Sequence, residues 1–228
     1  MIKKLLTSAV FAGVAVGVVS TVLHLWLITP LLLEGELYET GAKVHFAANG
    51  SSQSDAGGVS IWTEPARHLT TLGFNMVTFT AFGLLLVAGF ALSERRGHHL
   101  SPQNGLIWGL CAFVAVQLAP AIGLPPELPG TIAAEVALRQ AWWITTILCT
   151  GAGLAMIAFA RALWPMALGT ILMVLPHIWG APHLDTYFGV APPELSAHFA
   201  TSSLGASAIS WSLLGLFAAM LWTRCQEA

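Results

Sequence analysis

The chain has 228 residues, of which 56% are hydrophobic and 9% charged, with a mean hydropathy of +0.74 and a formal net charge of −2. A soluble domain carries roughly 25% charged residues, so a water-soluble globule is excluded and lipid must solvate much of the surface. Nine basic against eleven acidic residues leave no basic excess for a nucleic-acid partner.

The first element is an apolar run from Leu5 to Leu33 with His24 as its one ionisable interruption. It follows Lys3 and Lys4 as a signal peptide would. A signal core, however, runs about 7–15 residues to a small-residue cleavage site, so a retained transmembrane helix is expected. Further runs near the spanning length of about 20 residues lie at approximately 69–92, 103–123, 140–160, 163–180 and 198–223. The expected fold is therefore all-α: a single integral-membrane domain over 1–228, about six transmembrane helices in three hairpins, with a flexible outer loop at 34–67. That loop carries NGSSQSDAGG. Cys111, Cys149 and Cys225 form no CxxC pair and read as small apolar residues.

Charge orients the spans. With both termini in the cytoplasm, the inner side receives Lys3, Lys4, Arg95, Arg96, Arg161 and Arg224, and the outer side Lys43, Arg67 and Arg139. This obeys the positive-inside rule. The same orientation puts Glu34, Glu36, Glu39, Asp55, Glu64, Glu127, Glu135, Asp185 and Glu194 outside, together with His45, His68, His177, His183 and His198. Imidazole and carboxylate together suit borderline divalent cations, and a negative mouth concentrates them. The bland alternative is a set of interfacial hydrogen-bonding residues.

Two spacings sharpen the cluster. Glu64 and His68 in TEPARH, and Glu194 and His198 in PPELSAH, stand at i and i+4 behind a proline at a helix start. Glu135 and Arg139 repeat the spacing, and PPEL occurs at 125–128 and 192–195, which hints at an internal repeat. In the stretch VLPHIWGAPHLD, a helix broken at Pro176 would have His177 and His183 flanking the break, and a turn at Gly180–Ala181–Pro182 would be needed to bring them to one ion. Pro30, Pro120, Pro176 and Pro182 lie near the outer ends of odd-numbered spans, where proline frees backbone carbonyls. His24 lies inside the first span, with Asn75, Gln117 and Gln140 as other polar groups near a route. The sequence contains no GxxxxGK[ST], GxSxG or HExxH, hence no sign of a nucleotide or of a reaction.

TPLLLEGELYE at 29–39, LAPAIGLPPELPG at 118–130, RQAWW at 139–143, LPHIWGAPH at 175–183 and PPELSAHFA at 192–200 resemble the CbtA family of cobalt transporter components. The resemblance implies a multi-pass protein of the bacterial inner membrane that takes up cobalt for cobalamin synthesis. It also implies a companion, the small single-span cobalt transporter B subunit. The substrate expected is a divalent metal, cobalt first and nickel or zinc next, without nucleotide and without enzymatic activity. A homo-oligomer is compatible. The family's first outer loop often carries a histidine-rich run; here it holds His45 alone. The residues chosen for the metal's route are His177, His183, His198, His68, His24, Glu194, Glu127 and Glu64. The competing readings are a haem-binding redox protein, with axial ligands from His24, His68, His177 and His198, and a purely structural member of a larger membrane complex.

Overall fold

A computed structural model describes residues 2–46, 60, 62, 64–186 and 188–227. Six helices lie on the six apolar runs. Helix α1 is Ile2–Glu39, α2 is Pro65–Arg95, and α3 runs from Pro102 through a last segment Ala119–Gly123. Helix α4 is Val136–Ala158, α5 is Leu163–Trp179 and α6 is Pro193–Glu227. Among the described residues there is no strand, and an isolated antiparallel bridge joins Thr131 and Gly189. Five of the helices are long and apolar enough to cross a membrane. The sixth, α5, has 17 residues and spans about 26 Å at 1.5 Å per residue, somewhat less than a hydrocarbon core of about 30 Å.

Helix α1 departs from expectation at its C-terminal end. The acids Glu34, Glu36 and Glu39 end the apolar run but not the helix, because leucine and glutamate are both good helix formers. The predicted loop at 34–67 is correspondingly shorter at both ends, since Pro65 begins α2. Its NGSSQSDAGG stretch lies outside the described residues. At 38 residues α1 is about 57 Å long, so it outruns a bilayer core and carries its acids beyond it.

Two helices share one deformation. A π-helical turn occupies His24–Ile28 in α1 and Val114–Leu118 in α3. In each, a proline (Pro30, Pro120) stands six residues after the turn begins. Proline has no N–H and its ring collides with the carbonyl four residues back. Those carbonyls belong to Trp26 and Val116, inside the widened turns, so the extra residue per turn relieves the collision. Pro176 behaves differently. Helix α5 continues through it and stops at Gly180, whose φ of 89° belongs to glycine. The break is therefore at Gly180, three residues past His177, and not at Pro176.

The chain divides into two compact units. The first comprises Met1–Trp26, Trp62–Phe113 and Gly205–Ala228. Its helices meet through glycines. A Cβ on Gly17 of α1 would stand 2.6 Å from the Met76 Cα of α2, and one on Gly83 of α2 would stand 2.9 Å from the Ala9 carbonyl of α1. Gly105 and Gly109 of α3 meet Gly215 of α6 in the same way. With lipid outside, helices gain little from hydrophobic exclusion, and small residues let backbones approach for dispersion instead. Around these seams pack Val16, Val87, Phe90 and Leu214, all fully buried. Phe82 meets Trp211 at 4.5 Å between ring centroids, and the Trp222 indole N–H donates to Glu94 at 2.9 Å while Lys4 lies over its ring.

The second unit comprises Leu27–Ile61 and Val114–Leu204. Here α4 and α5 close on each other at Gly153 and Gly169, where a Cβ on the first would stand 2.5 Å from the second's carbonyl. The closest backbone approaches thus join the first span to the second, the third to the sixth and the fourth to the fifth. The first of these pairs is a hairpin expected from chain order, and the end of the third span also meets the fourth, as a second expected hairpin would.

Candidate functional site

The five segments that carry the sequence resemblance all belong to the second unit, and four of them touch one another. Gly35 of TPLLLEGELYE lies under Leu128 of LAPAIGLPPELPG, whose side chain is 3% exposed. Gly130, with φ of 79°, turns that loop where a Cβ would meet Val190 at 2.5 Å and Glu39 at 3.4 Å. Gly123 faces both Ala181 of LPHIWGAPH and the Trp142 ring of RQAWW, at 2.6 and 2.8 Å from a built Cβ. In the fifth segment, Phe199 is buried.

Trp142 ties two of these segments chemically. Its indole N–H donates to the Pro176 carbonyl at 3.1 Å, and the same oxygen accepts from the Gly180 N–H at 3.0 Å. The His177 ring stands edge-on to the Trp142 ring, 5.9 Å between centroids at 75°. One side chain thereby fixes the last turn of α5 and the orientation of its histidine. RQAWW was legible as a motif, but its indole gave no sign in sequence that it would be a donor to a proline carbonyl.

Several charged residues are paired. Lys43 donates to Glu34 at 2.7 Å, and the Arg139 guanidinium meets Glu127 at 2.7 Å. In the first unit, Arg67 lies 3.9 Å from the Glu64 carboxylate. Each of the three bases assigned to the outer face therefore lies near a carboxylate assigned to the same face; the tight pairs neutralise Glu34 and Glu127, while Glu64, 67% exposed, is touched only loosely. The hydrogen bond to Glu34 holds the Lys43 ammonium above its ordinary range.

The histidines differ in what they present. The His183 ring is exposed, and its Nδ1 lies 3.2 Å from the Leu184 carbonyl. That contact ties the ring to the backbone of the next residue, in the loop that follows α5. His177 is half-buried in the last turn of α5, while Glu194 and His198 are exposed in the first two turns of α6. His68 is half-buried in the first turn of α2. His24 opens the π-helical turn of α1, half-buried, with Nδ1 3.3 Å from the Asn75 amide nitrogen. Asn75 also donates to the Thr21 hydroxyl at 3.0 Å. Gln117 lies in the matching turn of α3, half-buried, and Gln140 is exposed at the head of α4. Among the described residues, no three His, Cys, Asp or Glu side chains come together as a metal-holding group. Cys111 and Cys149 are free thiols.

This is an all-α, multi-pass membrane protein whose packed loops join the ends of several helices. The family model described as "Probable cobalt transporter subunit (CbtA)" matches residues 2–223, and the chain belongs to that family. No curated protein and no solved structure matches it.

Proposed function

We propose that this chain admits a divalent transition metal into the cell, cobalt before nickel or zinc, to supply cobalamin synthesis. The family match over nearly the whole chain carries the reading, and the interlocking of its motif segments in one unit supports it. In the proposed arrangement all six helices traverse the inner membrane, both termini are cytoplasmic, and the chain forms one membrane domain. Outer carboxylates raise the local cation concentration. The metal then passes between transient ligands: His177, His183 and His198 first, and then His68 and Glu194. Glu127 and Glu64 take part when Arg139 and Arg67 release them. The inward route passes His24. The protein is a transport component and not an enzyme. Its partner, implied by the word subunit, is a small single-span B component.

The test is cobalt uptake by cells expressing the chain, alone and with that partner. His177→Ala and His183→Ala variants run alongside, with membrane insertion checked by blot. Uptake that rises with the unmodified chain and falls in both inserted variants supports the reading. An unmodified, inserted chain that moves no cobalt, nickel or zinc in either setting overturns it.

A further inference from the structure

The His24 ring is held by a chain of hydrogen bonds whose direction can be worked out from one end. The Thr21 hydroxyl has a single hydrogen, and it points to the Gly17 carbonyl at 2.8 Å. That is the habit of helical threonines throughout this protein: Thr70, Thr146 and Thr170 each donate to the carbonyl four residues back. With its hydrogen committed, Thr21 can only accept from Asn75. The Asn75 amide must therefore turn its NH2 toward Thr21, at 3.0 Å. The same NH2 reaches His24 Nδ1 at 3.3 Å. A hydrogen on Nδ1 would face a hydrogen of the amide, so Nδ1 is the acceptor and the ring proton lies on Nε2. Thr21 and Asn75 are buried, at 5% and 8% exposure, so water cannot easily substitute for either partner.

On His24 both lone-pair positions are closed: Nδ1 is occupied by the amide, and Nε2 carries a proton. The ring also opens a π-helical turn, a deformation frequent at functional positions.

We propose that Thr21 and Asn75 are positioning residues that lock His24 in the Nε2–H form, so that this intramembrane imidazole does not ligate the metal at rest. The consequence for transport rests on the function proposed above. An imidazole with an open Nε2 inside the span would retain a divalent metal, and the lock keeps the inward route free of such a trap. Ligation at His24 requires the Asn75 amide to turn, which breaks its bond to Thr21.

The test uses the full chain, purified in lipid nanodiscs with 15N-labelled histidine. His24→Gln identifies the His24 signals by their loss. Nitrogen chemical shifts distinguish the two tautomers, and the Nε2–H form is expected. Thr21→Val removes the acceptor and frees the amide to turn, so a fraction of Nδ1–H form appears; Thr21→Ser keeps the hydroxyl and the native pattern. Asn75→Asp supplies an acceptor for Nδ1–H and opens Nε2. Cobalt alone, titrated into the same sample, then broadens the His24 signals in Asn75→Asp and leaves them sharp in the unmodified protein. Uptake by Asn75→Asp falls roughly tenfold to a hundredfold, the range over which such outer partners tune a metal site. Finding the Nδ1–H form in the unmodified protein, or no change of tautomer in either Thr21→Val or Asn75→Asp, overturns the lock. If the tautomers behave as stated but the unmodified protein moves no metal, the lock stands and the transport reading alone fails.

Discussion

Replacing Trp142 by phenylalanine isolates one hydrogen bond. The indole is 9% exposed, donates to the Pro176 carbonyl at 3.1 Å and stands edge-on to His177. Phenylalanine keeps an aromatic ring in the slot and loses the N–H. The carbonyl is not orphaned, because Gly180 still donates to it at 3.0 Å. The loss is therefore that of an ordinary net hydrogen bond, about 1 kcal/mol, and not the larger cost of a stranded buried acceptor. Trp142→Ala removes the ring as well and opens a cavity beside Gly123, for about 3–5 kcal/mol. The assay is unfolding of the purified protein by SDS titration in mixed micelles, followed by far-ultraviolet circular dichroism. Cobalt uptake is measured alongside. If the proposed route passes His177, uptake by Trp142→Phe should show a raised half-saturation concentration, since the turn that carries His177 loses one of its two bonds at the Pro176 carbonyl, with the maximal rate less affected. A Trp142→Phe protein as stable as the unmodified one, with unchanged uptake, refutes the anchor. One as damaged as Trp142→Ala shows that the bicyclic volume matters and the N–H does not.

The glycine seams predict a sharp contrast. Gly17→Ala drives a Cβ to 2.6–2.7 Å from the Met76 backbone, which cannot rotate away, and should cost about 1–3 kcal/mol in the same SDS assay. Gly73→Ala and Gly151→Ala meet nothing within 4 Å and should be neutral or stabilising by up to about 1 kcal/mol; equal effects at all three sites would disprove the seam. The Glu127–Arg139 pair is about a quarter to a third exposed, so Arg139→Gln should cost only about 0.2–1 kcal/mol. On the proposed route it should also lower the cobalt concentration for half-maximal uptake, because it frees a carboxylate for the metal; an unchanged value removes Glu127 from that route. For Lys43, whose ammonium is raised from an ordinary value of 10.5 by Glu34, the linkage has a definite sign. Its contribution is complete below the ordinary value and fades as pH climbs through the higher folded-state value. The unfolding midpoint should fall as pH rises past that ordinary value in the unmodified protein, and less in Lys43→Met.

The helices were legible because a bilayer imposes a simple demand: an unbroken apolar stretch long enough to satisfy its own backbone in lipid. Where helices end was less legible, because hydropathy marks the edge of lipid and not the edge of the helix. Glu34, Glu36 and Glu39 look like a loop by polarity and form a helix by propensity. Pro176 looks like a break, yet Gly180 is the residue whose φ ends α5. A proline six residues beyond the start of a widened turn, at Pro30 and again at Pro120, is a feature that two helices share and that PPEL does not mark. At the candidate site, charge bias and spacing suggested that acids and histidines share one face. They could not reveal that Glu127 faces Arg139 across 12 residues, or Glu34 faces Lys43 across 9. Such pairing is set by tertiary approach.

The arrangement of these groups bears on how fast an ion can pass. A cation captured at about 10⁸ M⁻¹s⁻¹ by an electrostatically favourable mouth leaves a nanomolar site about once in 10 s and a micromolar site about 100 times per second, since the off-rate is the product of capture rate and Kd. The proposed uptake would be served by the second regime, and a closed cage of three or four protein ligands produces the first. Several features of this chain keep ligation sparse. Glu127 and Glu34 are occupied by Arg139 and Lys43, and under the proposed lock His24 offers a proton instead of a lone pair. Basic partners that compete with the metal for carboxylates weaken capture, but they also speed release. A gain of affinity by Arg139→Gln is thus expected to come with a lower maximal rate, and that trade separates a transport route from a storage site.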